Sequence, residues 1–342
     1  MNTIPTIFNE SPPSYTAVGG SERLTTTGLS AVILNRPGRY SRRNFFTELE
    51  KIGFDYVISV ELSSERYDLE ELSGRFPFVR FILPLAPLNL GQSINLAARE
   101  LDSPLFFVLW NDLKLVSGGT ARRMAERLGS SQDDADEQRL NITKRLCTVP
   151  VIQNSRFETL PTLAAPAIIK KNVRSLLFSS NTDGLPSLYP FDGIGIYDRE
   201  RFIRMGGFDS TLARTHWQLM DFGFRSYLWG EEICVSQQLK LSYDGSSSSE
   251  DNTTDESYRR FFFKNLAPVF RGDYAQLPLH SYLKFIRMFH SAPIAAWEDF
   301  LESRQWVKTN SLRWRASVET LAGRWDGIPA GEALFRADAL HP

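Results

Sequence analysis

Three sets of side chains in this 342-residue sequence have types and spacings suited to chemistry. The first is Asn111-Asp112, which follows directly on the apolar run Leu105–Trp110. A carboxylate there can hold a hard divalent cation through oxygen. The second is the cluster Arg36, Arg39, Arg42 and Arg43, whose planar guanidiniums suit phosphate oxygens but read equally well as a solvated helix face. The third is the series Asp192, Asp209 and Asp221, any of which is a candidate base if it reaches a hydroxyl within hydrogen-bonding distance. Asp209 follows two glycines and reads first as a turn residue, and Asp221 with Arg225 four residues on also suits an ordinary helical ion pair. His216 stands alone, and Cys147 and Cys234 have neither metal-ligand nor disulfide-framework spacing.

Positioning these groups requires a layered α/β scaffold. Ser30–Leu34 reads as a strand, followed by a helix with Phe45, Leu49 and Ile52 on one face. Tyr56–Val60 and Phe78–Leu83 read as the next strands, and Ile94, Ala97, Ala98 and Leu101 recur at helical spacing before the buried strand Leu105–Trp110. Strands alternating with helices imply a mostly parallel sheet, and such sheets bind ligands at the carboxyl ends of their strands. Asp112 lies at such an end. Further on, Asp192–Tyr197 reads as a strand, Asp198–Met205 as a helix, Trp217–Trp229 as a helix and Leu239–Tyr243 as a strand running into a polar loop from Asp244 to Asp255. The expected organisation is an irregular arm over 1–29, a first half over 30–128, a second half over 129–280 and a helical extension over 281–342.

Composition narrows the function classes. The chain is 42% hydrophobic with 24 Phe, 11 Tyr and 7 Trp, as expected of a folded globular protein. Its 39 Lys and Arg against 40 Asp and Glu leave no general field to attract nucleic acid, which is excluded as the expected partner. No signal-peptide pattern and no transmembrane segment is legible, so the expected compartment is cytoplasmic. The C-terminal tryptophans read as packing residues, with peripheral membrane contact as the alternative because Arg304, Lys308, Arg313, Arg315 and Arg324 accompany them.

Three segments, in order, resemble the GT-A glycosyltransferases of family 2 and together cover roughly residues 30–270. Asn89-Leu-Gly91 with Asn95 and Ala97-Ala98 is similar to the family's helix start after the third strand. Phe106–Leu115 is similar to the strand ending in its Asp-X-Asp motif. The most specific is Gly193–Asp209, followed by Trp217-Gln-Leu-Met-Asp221 and Arg225, which resembles the acceptor-side core. Asp244 and Phe261–Asn265 resemble the family's final metal-side strand and aromatic-basic helix.

The resemblance implies a Rossmann-like GT-A domain, with 30–128 as its nucleotide-sugar-binding half and 129–280 as its acceptor-side half, that transfers a sugar from a nucleotide-sugar donor to a glycan, lipid or protein acceptor with inversion. It implies donor contacts from Asn35, Arg36, Glu61, Asn95, Asn111 and Asp112. It further implies Mg²⁺ or Mn²⁺ held by Asp112 and Asp244, and a base at Asp221 or Asp192. The sequence departs from the pattern where Trp110 stands for the first acid of Asp-X-Asp and Gln218-Leu219 for the family's Glu-Asp. These departures support the alternative of a non-catalytic GT-A protein that binds a nucleotide, glycan or protein partner.

Overall fold

The computed structural model describes residues 11–37, 41–61, 68–117, 119–129, 145–169, 172–243, 253–289, 293–323 and 325. The chain opens with β1 (Tyr15–Gly19). It then alternates through β2 (Leu29–Leu34), α1 (Arg42–Ile52), β3 (Val57–Val60), α2 (Leu69–Arg75), β4 (Val79–Pro84), α3 (Leu90–Glu100) and β5 (Leu105–Trp110). β2 and β3 are buried at every position, as strands covered on both faces must be. Neighbouring pairs in the order β4-β3-β2-β5 are parallel, which the intervening helical crossovers require.

Local chemistry sets the helix ends. Ser41 accepts from the Asn44 amide at the start of α1, and Gly53 ends it at φ 79°. Asn89 and Gln92 form a reciprocal capping box on α3. On α1 the buried residues are Phe46 and Leu49 rather than Phe45, a shift of one position in the expected face.

The next elements are β6 (Leu113–Ser117), α4 (Ala121–Gly129), β7 (Arg145–Gln153), the hairpin β8 (Leu163–Ile169) and β9 (Asn172–Phe178), and β10 (Gly195–Asp198). They are followed by α5 (Arg199–Arg204), α6 (Thr215–Leu228) and β11 (Glu232–Tyr243). The described residues form one nine-stranded sheet in the order β1-β4-β3-β2-β5-β10-β7-β11-β6. β10 runs antiparallel between β5 and β7, whereas β7 and β11 are parallel to each other. The threading is tight enough that a Cβ on Gly195 would lie 2.5 Å from Cys147 Sγ. The two sequence halves thus share one sheet.

Alternating side chains of β2 divide the core. Val32 and Leu34 pack with α3 and α6, and Leu29, Ala31 and Ile33 pack with α1, α2 and α4 on the opposite face. The remaining elements are α7 (Glu256–Phe261), the short pair β12 (Val269–Phe270) and β13 (Ala275–Gln276), α8 (His280–Phe289), α9 (Pro293–Asn310) and α10 (Val318–Gly323). This helical C-terminal part is anchored by Arg315 N donating to Leu228 O at 2.7 Å and by Trp325 packing on Tyr227.

Two sequence expectations change. Tyr15–Gly19, expected as irregular, is an edge strand antiparallel to β4, and the chain between them is tied down where Thr27 and Gly28 amides donate to buried Asp55. Asp192, expected in a strand, lies in a single 3-10 turn, Phe191–Gly193, ahead of β10. Residues 130–144 and 244–252, including the expected boundary loop and most of the polar loop, lie outside the described residues.

Candidate functional site

The parallel strands β2, β3 and β5 end at one edge of the sheet, and each hands a polar residue to that edge: Asn35, Glu61 and Asn111. Asn111 stitches two of these ends together. Its backbone amide donates to Leu34 O at 3.0 Å, and its side-chain amide donates to Asn35 Oδ1 at 3.1 Å and to Arg36 O at 3.0 Å. Its own Oδ1 accepts from the Arg36 amide at 3.2 Å. These bonds fix Arg36 beside Asp112.

Asp192 reaches the same place for a topological reason. β10 is antiparallel to β5, so it begins where β5 ends, and the turn before it overhangs that end. The turn costs backbone strain, since Asp192 adopts φ 51° and ψ 24° in the left-handed region. Trp110 holds it there, its indole N–H donating to Asp192 O at 3.0 Å. The residue that departs from the expected acid therefore has its own structural task.

Arg36 closes the cluster. Its guanidinium donates to Asp112 Oδ2 at 2.8 Å and to Asp192 Oδ2 at 2.6 Å. It lies 4.1 Å from the centroid of the Trp110 ring and 5.7 Å from that of Tyr243. All three charged side chains are half-buried, so a ligand can reach them. Two carboxylates and one guanidinium leave a formal charge of −1, which favours an additional cation.

The donor set suits a hard metal in part. Asp112 directs one oxygen to Arg36 and its side chain remains partly exposed, and Mg²⁺-type sites use one or two carboxylates with substrate phosphates. Among the described residues no cluster of three or more His, Cys, Asp or Glu could hold an ion by itself. Asp244 lies outside the described residues; the preceding Tyr243 is the one whose ring faces Arg36.

Glu61 forms the second part of the site. It is buried and accepts from Ser59 Oγ at 2.6 Å and Arg42 at 2.8 Å, while Asn35 Nδ2 donates to Val60 O at 2.8 Å. Arg42 also pairs with Asp68, and Arg43 pairs with Glu71, so these two guanidiniums have carboxylate partners. Arg39 is outside the described residues. Of the expected site residues, Asn35, Arg36, Glu61, Asn111, Asp112 and Asp192 thus form one connected network.

Asn95 and Asp221 belong elsewhere. Asn95 is buried and its amide closes on the backbone of Phe208, donating to Phe208 O at 2.8 Å and accepting from Phe208 N at 2.9 Å. That contact ties α3 to the chain just after the Gly206-Gly207 turn. Asp221 is fully buried: Oδ2 accepts from Arg225 at 3.0 Å, and Oδ1 accepts from Asn265 at 2.7 Å and Lys264 at 2.9 Å. Burial pushes its pKa up, but the Lys264 and Arg225 charges and the Asn265 hydrogen bond outweigh this and hold it below the usual carboxylate value. An ionised carboxylate with no exposed surface and both oxygens bonded is not placed to take a proton from an acceptor, so the helical ion pair describes Asp221 better than a base does.

Lys264 stands in the sequence only as the basic member of the Phe261–Asn265 segment, with no assigned role; it bridges Asp221 to Asp209 at 2.9 Å from each, and Gln218 makes an unforeseen clamp. Gln218 accepts from the Gly91 amide at 2.9 Å and donates to Leu212 O at 2.6 Å, tying the start of α3 to the turn after Asp209. Its substitution for an acid was the only signal. Cys147 and Cys234 are both buried; burial raises the Cys147 thiol pKa well above normal and brings Cys234 to about 11, which removes them as nucleophiles.

The architecture aligns with a solved structure of GalNAc-T7 with UDP, GalNAc and Mn²⁺ at a TM-score of 0.52 and 10% identity, over 82% of this chain. The fold is GT-A. This chain spans 57% of the GalNAc-T7 chain. Staphylococcus aureus TarS aligns at a TM-score of 0.43 and 12% identity, over 91% of this chain and 50% of that one. The Pyrobaculum calidifontis mannosyltransferase PcManGT in complex with GDP-Man and Mn²⁺ aligns at 0.40 and 12% identity, over 96% of this chain and 83% of that one. No protein-family model and no curated protein matches the sequence.

Proposed function

We propose that this protein transfers a sugar from a nucleotide-sugar donor to a hydroxyl of a glycan, lipid or protein acceptor, with inversion. The observation that carries this reading is the meeting of Asp112 and Asp192 on Arg36 at the carboxyl end of β5 in a GT-A fold. The half over 30–128 supplies Asn35 and Glu61 for the nucleoside, since amide and carboxylate groups pair with nucleobase and ribose edges. Arg36 faces the diphosphate with the N–H groups not engaged by the two aspartates.

Asp192 is the base in this proposal because it is the reachable candidate, whereas Asp221 is sealed in the interior. The acceptor oxygen attacks the anomeric carbon, its proton passes to Asp192, and the bond to the nucleoside diphosphate breaks. A Mg²⁺ or Mn²⁺ ion would be held by Asp112, with Asp244 as the second expected ligand, and would neutralise the leaving diphosphate. The Mn²⁺ in the GalNAc-T7 structure supports that choice.

The test is calorimetric titration of the protein with UDP and with GDP, in Mn²⁺ and in chelator, repeated on Asp112→Ala. Metal-dependent binding that the variant loses is the expected outcome. Binding to neither nucleotide in either condition would overturn the donor assignment.

A second reading, a non-catalytic GT-A protein that binds a nucleotide or glycan, is favoured by the interior use of Gln218 and Asp221. Nucleotide binding without turnover of any sugar donor, unchanged in Asp192→Asn, would select it.

A further inference from the structure

Exposed apolar side chains are concentrated in the helical C-terminal part. Of eleven exposed large hydrophobic residues among those described, eight lie between Val269 and Leu312; the other three are Leu85, Val116 and Phe157. Such a concentration is unlike the scattered single residues normal on a soluble surface. Ile294 is 80% exposed, Leu312 71% and Leu283 67%, followed by Leu279, Leu301, Tyr274 and Trp297.

Leu283 lies on α8, and Ile294, Trp297 and Leu301 lie on α9, which follows it directly in the chain. On α9, Ile294, Trp297, Leu301, Arg304, Gln305 and Lys308 fall at intervals of three and four and make a single stripe, apolar at its start and basic at its end. On α8, Leu283 lies beside Lys284 and Arg287. The helices are fastened by Tyr282, whose hydroxyl donates to Pro293 O at 3.0 Å and whose ring meets Trp297 edge-on at 5.0 Å. The tryptophans do not all face outward: Trp306 and Trp314 are buried, whereas Trp297 is exposed, as is Tyr274.

Charge separates across α9. Asp299 pairs inward with Arg259 and Arg260 of α7, and Glu302 pairs with Arg260. Outward, Lys284, Arg287, Arg304 and Lys308 have no ion-pair partner among the described residues, and Glu298 at the margin of the stripe is the nearest acid on that helix. Two hollows repeat the same combination. One, of about 620 Å³, has Leu301 and Tyr274 beside Arg304 and Lys308; the other, of about 500 Å³, has Leu283 and Met288 beside Lys284 and Arg287.

We infer that the α8–α9 face docks the protein on an anionic lipid bilayer. Leucine, isoleucine and tryptophan enter the boundary of the acyl chains while the arginines and lysines meet lipid phosphates, the division of labour of an interfacial helix. The unmatched positive charge selects a negatively charged bilayer over a second copy of this chain, whose identical face would bring like charges together.

Flotation of the full chain with vesicles of phosphatidylcholine alone, and of phosphatidylcholine mixed with phosphatidylglycerol, tests this. Binding to the mixed vesicles that weakens at high salt is expected, with Arg304→Glu/Lys308→Glu reducing it by about tenfold or more. Leu283→Ser/Ile294→Ser should reduce it similarly. Leu283, Ile294 and Lys308 are exposed and Arg304 is half-buried, and circular dichroism would check that the fold is retained. Equal recovery with and without vesicles, or variants that float like the wild type, would overturn the inference. So would a dimer detected by light scattering that Leu283→Ser/Ile294→Ser disperses, with no vesicle binding, because the face would then be a self-association surface.

Discussion

The Arg36 cluster and the Lys264 cluster use the same ingredients for different ends. Each places a cation between two aspartates: Arg36 between Asp112 and Asp192, Lys264 between Asp209 and Asp221. The first is half-buried at the open edge of the sheet, and the second is sealed beneath Trp306, whose ring centroid lies 4.6 Å from Lys264 Nζ. Partners at a wet edge exchange cheaply with a ligand, whereas desolvated partners cannot be separated without stranding a charge. Accessibility distinguishes the Arg36 cluster from the Lys264 network.

The largest effect that separates them is on stability. Asp221→Ala leaves Lys264 and Arg225 without their shared carboxylate and should cost about 3–5 kcal/mol, read by denaturant titration. Asp192→Asn should cost about 1 kcal/mol or less in the same assay. Equal losses would erase the contrast.

The pH response sharpens it. The folded-state pKa of Asp221 is depressed, so its stabilising contribution is present above its unfolded value, about 3.9, and disappears as pH falls through the lower folded value. Stability measured from neutral to strongly acidic pH should therefore decline in that acidic window, and Asp221→Asn should flatten this part of the profile.

The smallest effect lies at the edge. Arg36→Ala changes the formal charge of the cluster from −1 to −2, so Mn²⁺ affinity measured by calorimetry should rise by roughly three- to tenfold. An unchanged affinity would mean that Arg36 and the ion do not share Asp112.

Sequence reading followed the parallel block closely because β2, β3 and β5 are buried runs and α3 carries a regular apolar face. It assigned no strand between Arg145 and Phe178, where β7, β8 and β9 form, and it took β1 as irregular. Among the described residues β1 pairs only with β4 and is mostly exposed, so it lacks the continuous apolar signal. β7 contains Pro150 in mid-run, which local rules count against a strand. The candidate site was legible as strand ends but not as partnerships. Arg36 stands 76 residues from Asp112 and 156 from Asp192, and nothing local links them.

By itself the sequence determined the parallel strands β2, β3, β4 and β5 with their helices, and therefore which polar residues stand at those strand ends, because burial periodicity and capping are short-range. The tertiary structure decided that Asp192 joins Asp112 while Asp221 does not. Ion pairing depends on distance and solvent exposure, and the antiparallel insertion of β10 beside β5 and the cover supplied by the C-terminal helices set both.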